Sequence, residues 1–425
     1  MTTFARGSVI LLALLLAGCG AAPRNIGFGA EASLAFRAVQ PNVQRVYFDR
    51  WGSIYPPIRY PDSCAELSIV NLSGSRATTD GGPGLLSDLF SLFRAAETSD
   101  YLAVTKQPWY CPTGAEWNEL LKTLGAAESA NWKVIQDKLR DRIAKDLTKY
   151  DRVIVLIHGY RSLPHEVENQ FEMLRQKTQQ ALGNDDARKS TAFLYVFWDG
   201  IQGRRIGGSW GRAQFNAPLV GLGLRRLLHQ ITQTASGLRS VEIVGISHSL
   251  GAAVLSAAFW DARGSLNRGS PSFQFFDLEE MNGKNGNPLP KAKSIRVGML
   301  APAIPSSALE YFSRTDRENG GKLPSRVVVG FNPSDYALSK YVPAFPGIGC
   351  SSLFGSTCLG VSRRDLEQAR AHVPESVSSF HVIENWRTPT YKLPWTTSHA
   401  MEDYVDSDAM TPFLRLLLEV ENSQP

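Results

Sequence analysis

Short runs that are wholly or almost wholly apolar alternate along the chain with longer stretches in which apolar residues recur every third or fourth position. Residues 153–157, 192–198 and 241–246 are of the first kind, and each reads as a strand buried on both faces of a sheet. Residues 129–150 are of the second kind, with Trp132, Ile135, Leu139, Ile143 and Leu147 on one side and charges on the other. That spacing predicts an amphipathic helix. Residues 166–182, with Val167, Phe171 and Leu174, and 218–237, with Leu222, Leu227, Leu228 and Ile231, predict two more. The strand series continues through 293–300, 326–331 and 380–386, and residues 410–420 form a closing helix with an apolar face. Strands that alternate with helices predict an α/β fold built on a doubly wound, mostly parallel sheet.

The first part of the chain is less regular. Residues 43–71 mix short apolar runs with a proline-rich loop at 55–61 and predict a few strands or extended segments. Gly81-Gly-Pro-Gly84 breaks the chain, and short helices are expected at 85–96 and 116–124. No motif here carries chemistry. We therefore divide the chain into a leader at 1–18, a tether and accessory region at 19–125, and a main domain at 126–425. Within that domain, residues 200–211 are rich in glycine and arginine. No Gly-Lys-Ser/Thr follows, so a phosphate-binding loop is not indicated, and a mobile loop near a site mouth is expected. Residues 306–320 are expected to be helical, and 345–360 to form an ordered loop.

Composition narrows the class. Hydrophobic residues make up 43% and charged residues 20% of the 425, as in ordinary globular proteins. The net charge is +5 with no dense Lys/Arg cluster, so there is no nucleic-acid footprint. The beginning adds a location. Arg6, the apolar stretch 9–17 and Leu16-Ala-Gly-Cys19 form a short charged-then-apolar leader that is too short to span a bilayer, which takes ~20 residues. Its ending matches the bacterial lipobox, in which the cysteine is lipidated and becomes the mature N-terminus. Cys19 is thus the expected site of a palmitate-type anchor, holding the protein at the cell envelope. The next residue is Gly20 and not aspartate, which in the lipoproteins this resembles favours the outer membrane. Setting Cys19 aside leaves Cys64, Cys111, Cys350 and Cys358. An even number in an oxidising compartment suggests two disulfides. Three pairings are possible, and the local one, Cys64–Cys111 with Cys350–Cys358, is expected.

The chemistry concentrates at 240–258, SVEIVGISHSLGAAVLSAA. A strand that turns sharply into an Ala/Leu-rich helix through Ser-His-Ser-Leu-Gly has the form of a nucleophile elbow. The turn would hold Ser249 in a strained backbone conformation with its hydroxyl clear of the sheet. Small residues are needed two before and two after it, and these are Ser247 and Gly251. The Leu250 backbone N–H, at the helix start, would point to where an oxyanion forms. A frame centred on Ser247 nearly fits as well, but only Ser249 puts Gly251 where close packing is required. The plainer alternative is a strand–loop–helix with incidental serines.

Ile154-Val-Leu-Ile-His-Gly-Tyr160, the strand ending in Phe197-Trp198, and His248-Ser-Leu-Gly251 together resemble the α/β-hydrolase superfamily. More narrowly they resemble bacterial esterase- and lipase-like proteins with an HGY strand end and a strand that ends in Trp. The resemblance covers roughly residues 150–400, with the earlier part of the chain as an N-terminal extension. It implies a second oxyanion N–H in the loop after the first of these strands, here that of Tyr160, with His158 supporting the loop. It also implies a serine, an acid and a histidine in that chain order. Asp335 lies just past the carboxyl end of the 326–331 strand, where crevices form in such sheets. Asn332-Pro-Ser-Asp335 is also turn chemistry in its own right. Asp277 and Asp316 fit less well. His399 lies in a polar loop after the last strand, whereas His381 is inside that strand and His372 precedes it. The expected activity is hydrolysis of carboxylic esters or thioesters, lipid esters included, through an acyl-enzyme with no metal or cofactor. Acyl transfer, and a non-catalytic lipoprotein that keeps the fold as a binding or scaffold module, are the alternatives. Oligomeric state is not readable from the sequence.

Overall fold

The structure is a computed structural model that describes residues 40, 42–48, 52, 54–55, 140–160, 164–183, 185–198, 206–235, 240–260, 289, 291–309, 324–335, 338, 359–373, 379–386 and 399–420. The leader and Cys19, all four remaining cysteines, the helices expected at 85–96 and 116–124, and Asp277 and Asp316 lie outside the described residues.

In chain order the elements are β1 (Val43–Phe48), β2 (Ile54–Tyr55), α1 (residues 140–147), β3 (Arg152–Ile157), α2 (Pro164–Leu182), α3 (Asp185–Lys189) and β4 (Thr191–Trp198). There follow α4 (Ile206–Ala235), β5 (Glu242–His248), α5 (Gly251–Phe259), β6 (Ile295–Leu300), a 3-10 turn (Ser306–Leu309), β7 (Arg326–Gly330), α6 (Arg363–His372), β8 (Phe380–Ile383), α7 (Met401–Val405) and α8 (Met410–Leu418). The strands form one sheet of eight in the order β2-β1-β4-β3-β5-β6-β7-β8. The short β2 is antiparallel to β1, and every other neighbouring pair is parallel. The protein is therefore of the α/β class. The chain runs from β3 out to β4, then returns past β3 to β5, so the order reverses between β3 and β5. Such a reversal opens a crevice beyond the carboxyl ends of the strands.

The strand interiors explain why these segments pair. All of β4 and β5 is buried, as is β3 after its first residue. Each fully buried aliphatic side chain contributes roughly 1.5–3 kcal/mol, and β-branched and aromatic residues fit the pleated surface. Helices cover both faces. Gly245 of β5 lies so close to α5 that a Cβ there would stand 2.4 Å from Leu255. Ile246, one residue on, is in register with Gly298 of β6, where a Cβ would stand 2.7 Å from Leu417 of α8. Neighbouring residues of a strand face opposite ways, so α5 and α8 lie on opposite faces. α2 begins with Pro164, carries Glu166 in its first turn and ends before Gly183, whose φ of +66° closes the helix.

Two elements differ from the sequence-based expectation. Helix α4 starts at Ile206, not at residue 218, and passes through Pro218. Ala213, Ala217, Val220, Leu224, Leu228 and Ile231 are all buried at helical spacing, so packing overrides the proline and the glycines before it. The N-terminal region also joins the main sheet. β1 runs parallel to β4 from Val43↔Phe193 to Phe48↔Trp198. Val43, Val46 and Phe48 are buried while Gln44 and Arg45 are only partly so, and Arg45 reaches Glu168 of α2.

Candidate active site

Each landmark of the site stands past the carboxyl end of a strand. β5 ends at His248, and Ser249 turns the chain into α5 with a φ of 52°. That left-handed conformation is costly for a residue with a side chain, of order 1–2 kcal/mol, and the surroundings must hold it. The end of β6 does so. The Ser249 N–H donates to the Leu300 carbonyl at 2.9 Å, and the Ser249 carbonyl accepts from the Ala303 N–H at 3.1 Å. Ala301, between these two, is itself left-handed, with a φ of 43°. Gly251 gives the turn its room, since a Cβ there would stand 2.4 Å from the His158 carbonyl oxygen. Ser247 fills the other small position, buried, with no hydrogen-bond partner for its hydroxyl among the described residues.

The HGY loop after β3 is locked by its neighbour strand. His158 Nδ1 donates to the Gly159 carbonyl at 2.7 Å, and Nε2 accepts from the Trp198 N–H at 3.1 Å. The Trp198 indole N–H donates to the His158 carbonyl at 2.9 Å, and the two rings stack 5.6 Å apart. Both nitrogens of His158 are thus committed. Burial lowers its pKa from the ordinary 6.5 to about 4, so it remains neutral. It holds the loop and is not available as a base. Tyr160 follows Gly159 at the same mouth, and Leu250 caps the N-terminal end of α5.

Three side chains singled out from the sequence meet here. His399 Nε2 lies 2.7 Å from Ser249 Oγ, and His399 Nδ1 lies 2.7 Å from Asp335 Oδ2. His399 immediately precedes α7 and keeps 23% of its side-chain surface exposed, whereas Asp335 has none. Asp335 is set by a turn after β7, in which Asn332 Oδ1 accepts from the Ser334 N–H at 3.1 Å and the Asn332 carbonyl from the Asp335 N–H at 3.0 Å. The turn chemistry of the Asn-Pro-Ser-Asp stretch therefore positions the carboxylate. Asp335 Oδ1 accepts from the Leu338 N–H at 3.0 Å. Burial by itself would raise the Asp335 pKa. The adjacent His399 ring, and hydrogen bonds from His399, Tyr404 and Leu338, outweigh burial and hold the carboxylate below its usual range.

Sequence reasoning missed three participants. The Tyr404 hydroxyl donates to Asp335 Oδ2 at 2.6 Å, and Asn332 Nδ2 donates to the Tyr404 oxygen at 3.1 Å. Tyr404 lies in α7, a few residues after His399, and nothing local marks it. The third is His248, whose buried ring packs 5.0 Å from that of His399 and 5.7 Å from that of Tyr404. Burial first, and then the His399 ring, lower its pKa from 6.5 to about 3. A histidine beside a serine was visible in the sequence, but its burial was not. His381 stays in β8, and the side chain of His372 lies outside the described residues.

This arrangement can polarise and deprotonate one serine hydroxyl, that of Ser249. Nε2 faces the serine, and Nδ1 faces a carboxylate that fixes the ring tautomer. Among the described residues, no group of three or more His, Cys, Asp or Glu is disposed to hold a metal ion. Nor is any described helix long and apolar enough to cross a membrane. Compared with known proteins, the chain matches no family model, no curated protein and no solved structure.

Proposed function

We propose that the chain is a serine hydrolase of the α/β-hydrolase type that cleaves carboxylic esters or thioesters through an acyl-enzyme. The observation that carries this reading is His399 bridging Ser249 and Asp335 at 2.7 Å on each side. The elbow after β5 and the chain order serine, aspartate, histidine support it, since both belong to that architecture. In the first half-reaction His399 Nε2 takes the Ser249 proton as Oγ attacks the ester carbonyl. Asp335 holds the tautomer and stabilises the imidazolium that forms. The N–H groups of Leu250 and Tyr160 receive the oxyanion. The carbonyl re-forms as the alcohol or thiol leaves with the proton from Nε2. Water, deprotonated by the same nitrogen, then releases the acid and restores Ser249. The lipobox reading of Cys19 adds an anchor that would hold this site beside membrane lipid, at the outer membrane of a bacterial envelope, with lipid esters within reach.

The test is labelling of the full chain with a fluorophosphonate probe and mapping of the adduct by peptide mass. The expected result is modification of Ser249, lost in His399→Ala. A folded protein that stays unlabelled overturns the reading and leaves a binding module in its place.

A further inference from the structure

We propose that Tyr404 is a positioning residue that tunes the site, sharing the charge of Asp335 and so limiting how firmly that carboxylate holds a protonated His399. The proposal rests on the hydrolase reading for its consequence in turnover. Its structural core is independent of that reading.

One carboxylate oxygen does two tasks. Asp335 Oδ2 accepts from Tyr404 at 2.6 Å and from His399 Nδ1 at 2.7 Å. The other oxygen is taken by the Leu338 N–H. The direction of the tyrosine bond is settled by its surroundings. Asn332 Oδ1 is held by the Ser334 N–H, so the Asn332 amide turns its Nδ2 to the Tyr404 oxygen. With its oxygen already accepting, the hydroxyl has its proton free for Asp335. Tyr404 is fully buried, its ring 5.7 Å from that of His248 and 5.1 Å from that of Trp386, so the hydroxyl cannot swing to water. Burial, reinforced by the Asp335 charge, pushes the phenol well above its ordinary value, and it remains a donor at any working pH.

A chain of donors, Asn332 to Tyr404 to Asp335, polarises each bond in turn. Its effect on His399 has a definite sign. A hydrogen bond to a carboxylate withdraws charge from it, and a weaker anion stabilises an adjacent imidazolium less. With Tyr404 in place His399 gives up its proton more readily. Without it, Asp335 keeps more charge at Oδ2 and His399 stays protonated to higher pH. The other titratable groups facing this cluster are His248, His158 behind it and Asp403 beside Tyr404. Both histidines are neutral across the working range, so they do not mimic the effect.

Tyr404→Phe removes the hydroxyl and keeps the ring. Two measurements on the full chain in detergent test it. In the first, kcat/KM for p-nitrophenyl butyrate is followed from pH 5 to 9. The acid limb should move to higher pH by about half a unit to one unit, the size expected for loss of one hydrogen bond to a charged group. An activity loss with an unmoved limb would make Tyr404 merely structural and overturn the proposal. In the second, the His399 ring is titrated by NMR in histidine-labelled protein, assigned with His399→Gln. The midpoint should move up by the same amount, and an unmoved midpoint overturns the proposal. This reading needs no turnover. If the wild type neither cleaves the ester nor takes up the phosphonate, the hydrolase reading falls and the NMR titration alone decides the role of Tyr404. Should Tyr404→Phe fail to fold by circular dichroism, a ring-fluorinated tyrosine placed at Tyr404, a stronger donor of nearly the same shape, replaces it: the midpoint should then move down, and an unmoved midpoint again overturns the proposal.

Discussion

The two ends of the sheet are built from the same strands and solve opposite problems. At the carboxyl end the important side chains come from turns beyond the strands, namely Ser249, Asp335 and His399. Polar groups there converge on one carboxylate that water does not reach. At the amino end the side chains come largely from the strands themselves, and they alternate in sign. Arg152 of β3 pairs with Glu242 of β5 at 2.8 Å, and Glu242 pairs with Arg296 of β6 at 2.8 Å. Arg296 and Arg326 of β7 both reach Glu419, at the left-handed cap of α8. Burial lowers the Arg296 pKa, while Glu242 and Glu419 pull it back. This ladder ties the last helix to the middle of the sheet. The comparison teaches where strain is tolerated. Left-handed Ser249 and Ala301, with a Ser247 hydroxyl that has no partner among the described residues, shape the turns at the carboxyl end, whereas at the amino end left-handed Glu419 closes α8 and is held within the charge ladder.

The comparison can be broken most sharply by removing one group from each end. Ser249→Ala should lower ester hydrolysis by roughly 10⁴-fold or more, with thermal stability unchanged or raised, because the strained turn loses only a hydroxyl. Retained turnover would remove Ser249 from the chemistry. Glu242→Leu should do the reverse. It takes from Arg152 and Arg296 their shared partner, leaving Arg296 with Glu419, and should cost about 3 kcal/mol in denaturant unfolding, while the folded fraction still labels at Ser249. A loss well under that value would mean that water already solvates the ladder.

The third prediction separates the ends by pH. His158 and His248 are neutral when folded but protonate below about 6.5 when unfolded. The unfolded state therefore binds more protons as pH falls from 6.5 toward 4, and stability drops over that window. The size is on the order of 2 kcal/mol per histidine between pH 6.5 and 5. His158→Gln should flatten part of that slope in denaturant titrations at the two pH values, and an unchanged slope would mean that the ring is charged in the fold. Asp335 acts lower. Its depressed pKa contributes stability that is present above the unfolded value of about 3.9 and is lost as pH falls through the folded value. The smallest effect is expected at Ala301→Gly. Relief of the left-handed backbone outweighs the extra freedom of glycine in the unfolded chain, and stability should rise by about 0.5 kcal/mol. A loss of stability there would show that the methyl group is needed for packing.

How much of this was legible depended on how local each signal is. Strands β3 to β7 declare themselves because burial on both faces forces apolar runs. The elbow does so because the turn demands small residues at fixed offsets. Ser249, Asp335 and His399 could be singled out by position relative to those strands. Tyr404 and Asn332 could not, since their roles arise only when α7 packs against the turn after β7. Helix α6 was missed although Ser362 accepts from the Asp365 N–H at 3.2 Å, a Ser-x-x-Asp start that the sequence displays openly. Helix α4 starts earlier than the apolar spacing of 218–237 indicates, because the face it buries already includes the small residues Ala213 and Ala217 ahead of Pro218. The place of β1 in the sheet could not be read, because its partner is β4 and no local pattern names a partner so distant.

That distance sets a timetable for the newborn chain. Val43 is in register with Phe193, and synthesis proceeds at about 5–20 residues per second. The segment that becomes β1 therefore waits on the order of ten to thirty seconds before its partner strand exists at all. The pairs β3–β4 and β3–β5 close over shorter separations and can assemble first. β1 then docks onto a finished border, and until it does, Val43, Val46 and Phe48 have nothing of their own fold to cover them.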